Sequence, residues 1–477
     1  MKLYIWALTA MVAGLVIASP ETFAQLSMGS HSRRSLNPVS MLSTQLGHPS
    51  HSRLESPRSD LLRCSPAPCV LGNVLTSPNP AVNTIIAVNP TNPMQLLSGA
   101  ELQGCALAYG SADGGSSWYF GNLSCLDGGD PVLAYGRDGT AYLAGGSNDI
   151  LLATTQDNGN TWSEPTIVVS PIFNGGSVLT PWLVVDNTKS SPFYNRLYIA
   201  ATQQGSGQVQ SQVSVSHSSD GGQTWTITTV DKVQTEPNLD EFSRLSIASD
   251  GTVYAAWQRC TMTGRRINCG GAKAYMLLSK SSDGGNTWSS PQLIGGVRLV
   301  PDSCDCAFFG NLPHTDEPVA NPPLLAVDDS GGKHAGNLYA VMYNWTGKQM
   351  QVQVVTSTDH GQSWGTPVTV APASATHDQF FPSLSVSSTG VVGVSWLDRR
   401  NDKHNVRYQP FAAYSTDGGA SFSDNFALAK PLSNPFFMST YMGEYTGNTW
   451  AGGILYAAWP DTRNLIMQEF VGGLRVK

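Results

Sequence analysis

Two sets of side chains in this sequence recur at spacings that could do chemistry. The first is an aspartate written six times within an eight-residue stretch: S-A-D-G-G-S-S-W (Ser111–Trp118), T-Q-D-N-G-N-T-W (Thr155–Trp162), S-S-D-G-G-Q-T-W (Ser218–Trp225), S-S-D-G-G-N-T-W (Ser281–Trp288), S-T-D-H-G-Q-S-W (Ser357–Trp364) and S-T-D-G-G-A-S-F (Ser415–Phe422). The second is a scattered set of acids and arginines. Asp130, Asp240 with Glu241, Asp316 with Glu317, Asp378 and Glu444 each stand just before a short apolar run. The strings W-Q-R (Trp257–Arg259), W-L-D-R-R (Trp396–Arg400) and W-P-D-T-R (Trp459–Arg463) each end one, adding Arg259, Asp398, Arg399, Asp461 and Arg463. A guanidinium fork binds a sugar carboxylate bidentately, and neighbouring carboxyls can serve as acid, base or nucleophile at a glycosidic carbon. The same residues equally suit ion pairs that fasten repeated units together.

The six repeated aspartates read as backbone pins. An aspartate accepts hydrogen bonds from N–H groups just downstream, and a glycine two residues later supplies the positive φ of a tight turn. Alternation before each turn, as in Val213, Val215 and His217, is the period of a strand with one buried face. Reading outward, each turn joins the third and fourth strands of a longer unit. The first strand is a run such as Pro181–Val185, Arg244–Ala248 or Pro382–Val386, and the second is a run such as Thr252–Trp257 or Val391–Trp396. Four-stranded meanders of this kind cannot bury a core alone and stack radially, which predicts an all-β fold: a β-propeller of four-stranded antiparallel blades. A seventh unit, Tyr441–Gly447, Ile454–Arg463 and Leu465–Phe470, lacks the turn; a strand from about Val70 to Leu75 would complete it. That closure predicts seven blades, with six and a C-terminal extension as the alternative. In such a meander the aspartate turns lie on one face, while the acids and arginines gather on the other, at the mouth of the central channel.

The stretch S-x-D-x-G-x-T-W resembles the Asp box, or bacterial neuraminidase repeat, of the sialidase-like propellers, and its copies cover nearly all of the chain from Asn83 onward. The resemblance implies a glycan-recognising propeller, with exo-sialidase or a related glycoside hydrolase as the activity. Three arginines clamp the substrate carboxylate in sialidases. F-S-R-L-S-I (Phe242–Ile247) makes Arg244 a candidate for one, and Arg399 and Arg463 are the next; Arg259, Asp398, Asp461 and Glu241 would line the same substrate site. Glu444 and Tyr445 stand as the counterpart of that family's nucleophilic tyrosine and its glutamate, with Asp378 as a further reacting group. The F/Y-R-I-P motif of the first blade is replaced here by V-N-T-I-I-A (Val82–Ala87), which has no arginine. A non-catalytic propeller binding a protein or polysaccharide is the competing reading.

Lys2, the apolar run Leu3–Ala18 and small residues up to Ala24 have the form of a cleaved secretory signal (1–24), the run being shorter than the roughly 20 residues a membrane span needs. A Ser/Pro/Arg-rich leader follows (25–63), then one propeller domain (64–477). The expected location is secreted or periplasmic. Eight cysteines in an exported chain predict disulfides. Cys64 with Cys69 and Cys105 with Cys125 are the expected pairs, while Cys260, Cys269, Cys304 and Cys306 should clip two insertions together. A net charge of −7 argues against nucleic acid. The expected partner is a glycan or cell-surface polymer, met by a monomer. No cofactor is predicted; Ca2+ would suit an acidic mouth, but no D-x-D-x-D-G loop calls for it.

Overall fold

A computed structural model describes residues 64–477 apart from 209, 263–268, 304–308, 372–375 and 437–440. The expected signal and leader segments, and Cys304 and Cys306, lie outside the described residues. The chain is a seven-bladed β-propeller of four-stranded antiparallel blades, with strands in sequence order in all but the last, whose outer strand comes from the start of the domain. The first strands of the blades are Val82–Asn89, Val132–Tyr135, Ser177–Val185, Asn238–Ile247, Leu324–Val327, Gln379–Val386 and Gly447–Ala451, numbered here as blades one to seven. Each first strand packs against the first strands of the blades on either side, so these seven line the axis.

Burial explains the composition of the second strands. Every residue of Leu197–Gln204, Val392–Asp398 and Ile454–Asp461 is buried, because each of these strands is covered on both faces by neighbouring blades. Small residues and one large aromatic fill that space. Trp257, Trp396 and Trp459 occupy equivalent positions and are at most 1% exposed.

The aspartate turns are as the sequence predicts. In the third, Asp220 Oδ1 accepts from the Thr224 N–H (2.9 Å) and Asp220 Oδ2 from the Thr224 hydroxyl (2.6 Å). The Gly222 N–H donates to Ser218 Oγ (2.9 Å), and the Trp225 indole folds back onto the Gly222 carbonyl (3.0 Å). The pairing of aspartate with the hydroxyl residue four positions on recurs at Asp113, Asp157, Asp283, Asp359 and Asp417. Bonds from Thr224, Thr287 and Ser363 hold Asp220, Asp283 and Asp359 below the usual carboxylate range. These carboxylates are spent on the backbone.

Blade seven closes the ring with residues from the chain's beginning: Cys69–Val70 and Val74–Leu75 pair antiparallel with the third strand, Gln468–Arg475. Glu469 on that strand is wholly buried and pairs with the Thr76 hydroxyl (2.5 Å) and the Ser98 hydroxyl (2.7 Å) of blade one. One expectation needs correction. The first strand of blade seven is Gly447–Ala451, not Tyr441–Gly447. Residues 441–446 are drawn out of the sheet by bonds to other blades, described below.

Three disulfides are formed among the described residues. Cys64–Cys69 and Cys105–Cys125 match the expected pairs, the latter with Cα atoms 5.1 Å apart. Cys260 pairs with Cys269, so that bridge closes a single loop of blade four rather than joining two insertions. Disulfides of this number fit an oxidising extracellular or periplasmic setting. Among the described residues, no helix is long and apolar enough to cross a membrane.

Candidate functional site

The site is made by a local device repeated around the axis. Where the first strands of blades one, three, four and six approach the mouth, the ladder slips by one residue between Val82 and Ile85, Leu179 and Trp182, Glu241 and Arg244, and Phe380 and Ser383. The first residue of each bulge is left-handed: Asn83 (φ 49°), Thr180 (51°), Phe242 (58°) and Phe381 (47°); Asp130 (51°), before Pro131, takes the same conformation at blade two. Branched or bulky side chains resist this geometry, so packing must hold them there. The bulge re-aims the residues that follow it. Trp182 and Arg244, each directly after a bulge on adjacent blades, thereby meet face to face.

The Arg244 guanidinium carbon lies 4.6 Å from the Trp182 ring centroid and 5.7 Å from that of Tyr445, while Trp182 and Tyr445 stand edge to face at 6.5 Å. Arg244 is 1% exposed. Burial lowers its pKa to about 10, which leaves it a cation at neutral pH.

Four carboxyls surround it. Asn83 Nδ2 donates to Glu101 Oε2 (2.8 Å) and to Asp130 Oδ1 (3.0 Å), and the Asp130 N–H donates to Glu101 Oε2 (3.3 Å). Gln204 Nε2 donates to Glu241 Oε1 (3.0 Å). Glu444 is fixed through its own N–H, which donates to Asn83 Oδ1 (2.6 Å). Glu101, Asp130 and Glu444 are half-buried and keep some solvent exposure, whereas Glu241 is 3% exposed. Burial raises Glu444 to about 7, with Arg244 opposing and Glu101 reinforcing the shift. Burial, then repulsion from Glu444, pushes Asp130 and Glu241 well above the usual carboxylate range. Glu101 is raised less, because burial is offset by the bonds from Asn83 and Asp130. Glu444 thus exchanges its proton near neutrality.

The segment 441–446 straps the mouth. The Met442 N–H bonds Glu317 ahead of blade five, the Tyr445 hydroxyl donates to the Pro131 carbonyl of blade two (2.8 Å), and the Thr446 hydroxyl to the Phe381 carbonyl of blade six (2.9 Å). With Glu444 on Asn83, one short segment engages four other blades. Burial pushes the Tyr445 phenol well up, and its proton is committed to a carbonyl.

The remaining sequence-predicted residues sort differently. Arg399 is wholly buried 3.7 Å from Asp378, donates to the Pro313 and Asn405 carbonyls (2.9 and 3.0 Å), and stacks over Phe380. Asp378 accepts from the Met350 N–H (2.9 Å) and Asn405 Nδ2 (2.6 Å). Arg259 binds Asp240 and Asp231, both at 2.6 Å. Asp398 holds Arg400 (2.5 Å) and the Trp396 indole (2.8 Å); Asp461 holds Arg463 (2.6 Å) and the Trp459 indole (2.9 Å). Arg244, Glu241, Glu444 and Tyr445 are thus brought together, whereas Arg259, Arg399 and Arg463 each face an aspartate of their own. Among the described residues, no group of three or more His, Cys, Asp or Glu is placed to hold a metal ion.

Sequence reading missed Glu101, Trp182 and Asn83. Glu101 could have been found from register, since it lies opposite Val82 at the mouth end of blade one's second strand.

No family model matches the chain, and no curated protein matches it. Solved structures do. A polysaccharide lyase of family PL25, an ulvan lyase, is 11% identical over 85% of this chain and 96% of its own, with a TM-score of 0.51. The GH93 α-L-arabinofuranosidase of Fusarium graminearum, in complex with arabinobiose, is 10% identical over 85% and 98%, with a TM-score of 0.46. A mutant Trypanosoma rangeli sialidase displaying trans-sialidase activity is 14% identical over 72% of this chain and 53% of its own, with a TM-score of 0.42. At such identities the likeness extends to the propeller fold and leaves the chemistry to be argued from the site.

Proposed function

We propose that the protein is a glycan-cleaving propeller of glycoside-hydrolase type, working at the channel mouth on the face opposite the aspartate turns. One observation carries this reading: Glu444, solvent-reached and with its pKa near 7, stands in a cluster with Glu101, Asp130, Glu241 and Arg244 beside an aromatic wall of Trp182 and Tyr445. Glycoside hydrolysis needs one carboxyl that keeps its proton and one that loses it, and environments that push the two apart assign the roles. Glu444 is the proton donor to the departing glycosidic oxygen. Glu101, the carboxyl best supplied with donors, is the ionised partner. Tyr445 and Trp182 form the surface against which a sugar ring stacks, and Arg244 holds the charge of the cluster in check.

In this reading Arg399 with Asp378 supports the strap through the neighbouring Glu317. Arg259, Asp398, Asp461 and Arg463 fasten strands within their blades. A purely binding propeller remains a second reading, favoured by those fastened arginines alone. Turnover of a panel of chromogenic glycosides and native polysaccharides separates the two. Cleavage by wild type that Glu444→Gln abolishes without unfolding supports hydrolysis. Glycan binding without turnover, unchanged in Glu444→Gln, supports the binding propeller.

A further inference from the structure

The charge of this cluster bears on which glycan the mouth takes, an inference that rests on the glycan reading above. Three carboxyls, Glu101, Asp130 and Glu444, are within reach of solvent, and a fourth, Glu241, lies just behind them. The single cation among them in the described residues is Arg244, which is 1% exposed and covered on its faces by Trp182 and Tyr445. A ligand entering the mouth therefore meets acids and an aromatic ring first, and the guanidinium last. Nor do the other described arginines named above offer a clamp. Arg259, Arg400 and Arg463 are held by aspartates at 2.5 to 2.6 Å, and Arg399 is wholly buried beside Asp378.

From this arrangement we infer that the mouth binds an uncharged sugar residue and rejects sugars carrying a carboxylate. A uronate or sialate placed here would set its carboxylate beside Glu101, the ionised partner, and Glu444, which titrates near 7, with no unengaged guanidinium beside them among the described residues to pair it; like charges brought together without water oppose binding strongly. A neutral sugar offers hydroxyl protons that the ionised Glu101 accepts, hydroxyl oxygens that a protonated carboxyl can bond, and an apolar C–H face that lies on Trp182.

The test uses matched ligands that differ only in charge, measured by calorimetry on the full chain: lactose against sialyllactose, and oligogalactose against oligogalacturonate of equal length, with arabino- and gluco-oligosaccharides alongside. An uncharged ligand should bind roughly a hundredfold more tightly than its anionic partner. In Glu101→Gln, the preference should shrink below about tenfold as the ionised neighbour is removed. An anionic glycan that binds as well as or better than its neutral partner, with affinity lost in Arg244→Ala, overturns the inference and leaves the glycan reading standing. Failure of every glycan, charged or not, overturns the glycan reading and this inference with it. Because the wild-type comparison is decisive alone, a variant that fails to fold does not rescue the proposal.

Discussion

Replacing Glu469 by glutamine should stabilise the protein at neutral and alkaline pH and change little in acid. Glu469 is wholly buried where the closing strands meet blade seven, and burial raises its pKa from 4.5 to about 8, against the opposing bonds from Thr76 and Ser98. A carboxyl whose folded-state pKa is raised favours folding fully below the unfolded value and loses that advantage as pH rises toward the folded value. The window is therefore about pH 4.5 to 8. At about 1.4 kcal/mol per pH unit the ceiling is about 5 kcal/mol, and about 3 kcal/mol at pH 7; local relaxation and water entry should halve these. Glutamine copies the protonated acid in shape and hydrogen bonding, so it stays neutral throughout. Urea unfolding of wild type and Glu469→Gln at pH 5, 7 and 8.5 isolates this group, because other titrations cancel in the difference. The gap in stability should be near zero at pH 5 and grow to roughly 2 kcal/mol at pH 8.5. A gap that is constant with pH, or that narrows as pH rises, would refute the reasoning.

Three further outcomes follow from the site and the turns. If Glu444 donates the proton, activity should fall as pH rises through about 7, and Glu444→Gln should remove that limb along with roughly 10²–10⁴ of the rate, read from pH–rate profiles on the cleaved substrate. Arg463→Ala should destabilise by roughly 3 kcal/mol, since it leaves Asp461 buried with only the Trp459 indole and nearby N–H groups, as judged by chemical denaturation; Asp461→Asn/Arg463→Ala together should recover part of that loss. Asp220→Ala should lower the melting temperature without affecting glycan turnover, because its bonds run to Thr224 and the turn on the face away from the mouth.

The propeller was legible because its signal is repeated. Each aspartate turn is a local structure, its hydrogen bonds spanning two to four residues, and local structure is what a sequence displays most directly. The closing strand was legible as well, from a unit that lacked its fourth member. The site was legible only in part. Arg244, Glu241 and Glu444 stood out as charged residues beside apolar strands, but Glu101 joins them through a register that only pairing reveals. Trp182 looked like one more core aromatic, and its role arises from a bulge that turns it toward the axis. The segment 441–446 was misread as a strand because its residue types suit one, while its bonds to Glu317, Asn83, Pro131 and Phe381 connect positions up to hundreds of residues apart. The arginines were harder still: nothing in W-L-D-R-R distinguishes Arg399, which turns inward, from Arg400, which pairs within its own string.

The closing strand also sets an order of events in the cell. Val74 and Leu75 are among the first residues of the domain to be made, and their partners, Val471 and Phe470, are among the last. During synthesis or export six blades can assemble in turn, while the seventh waits with one edge missing. The emerging chain must keep residues 69–75 from pairing elsewhere for nearly the whole time of translation, exposing unsatisfied backbone that chaperones or a partner strand could capture. The arrival of the final strand then seals the ring in a single long-range step, which ties both ends of the described propeller into one sheet.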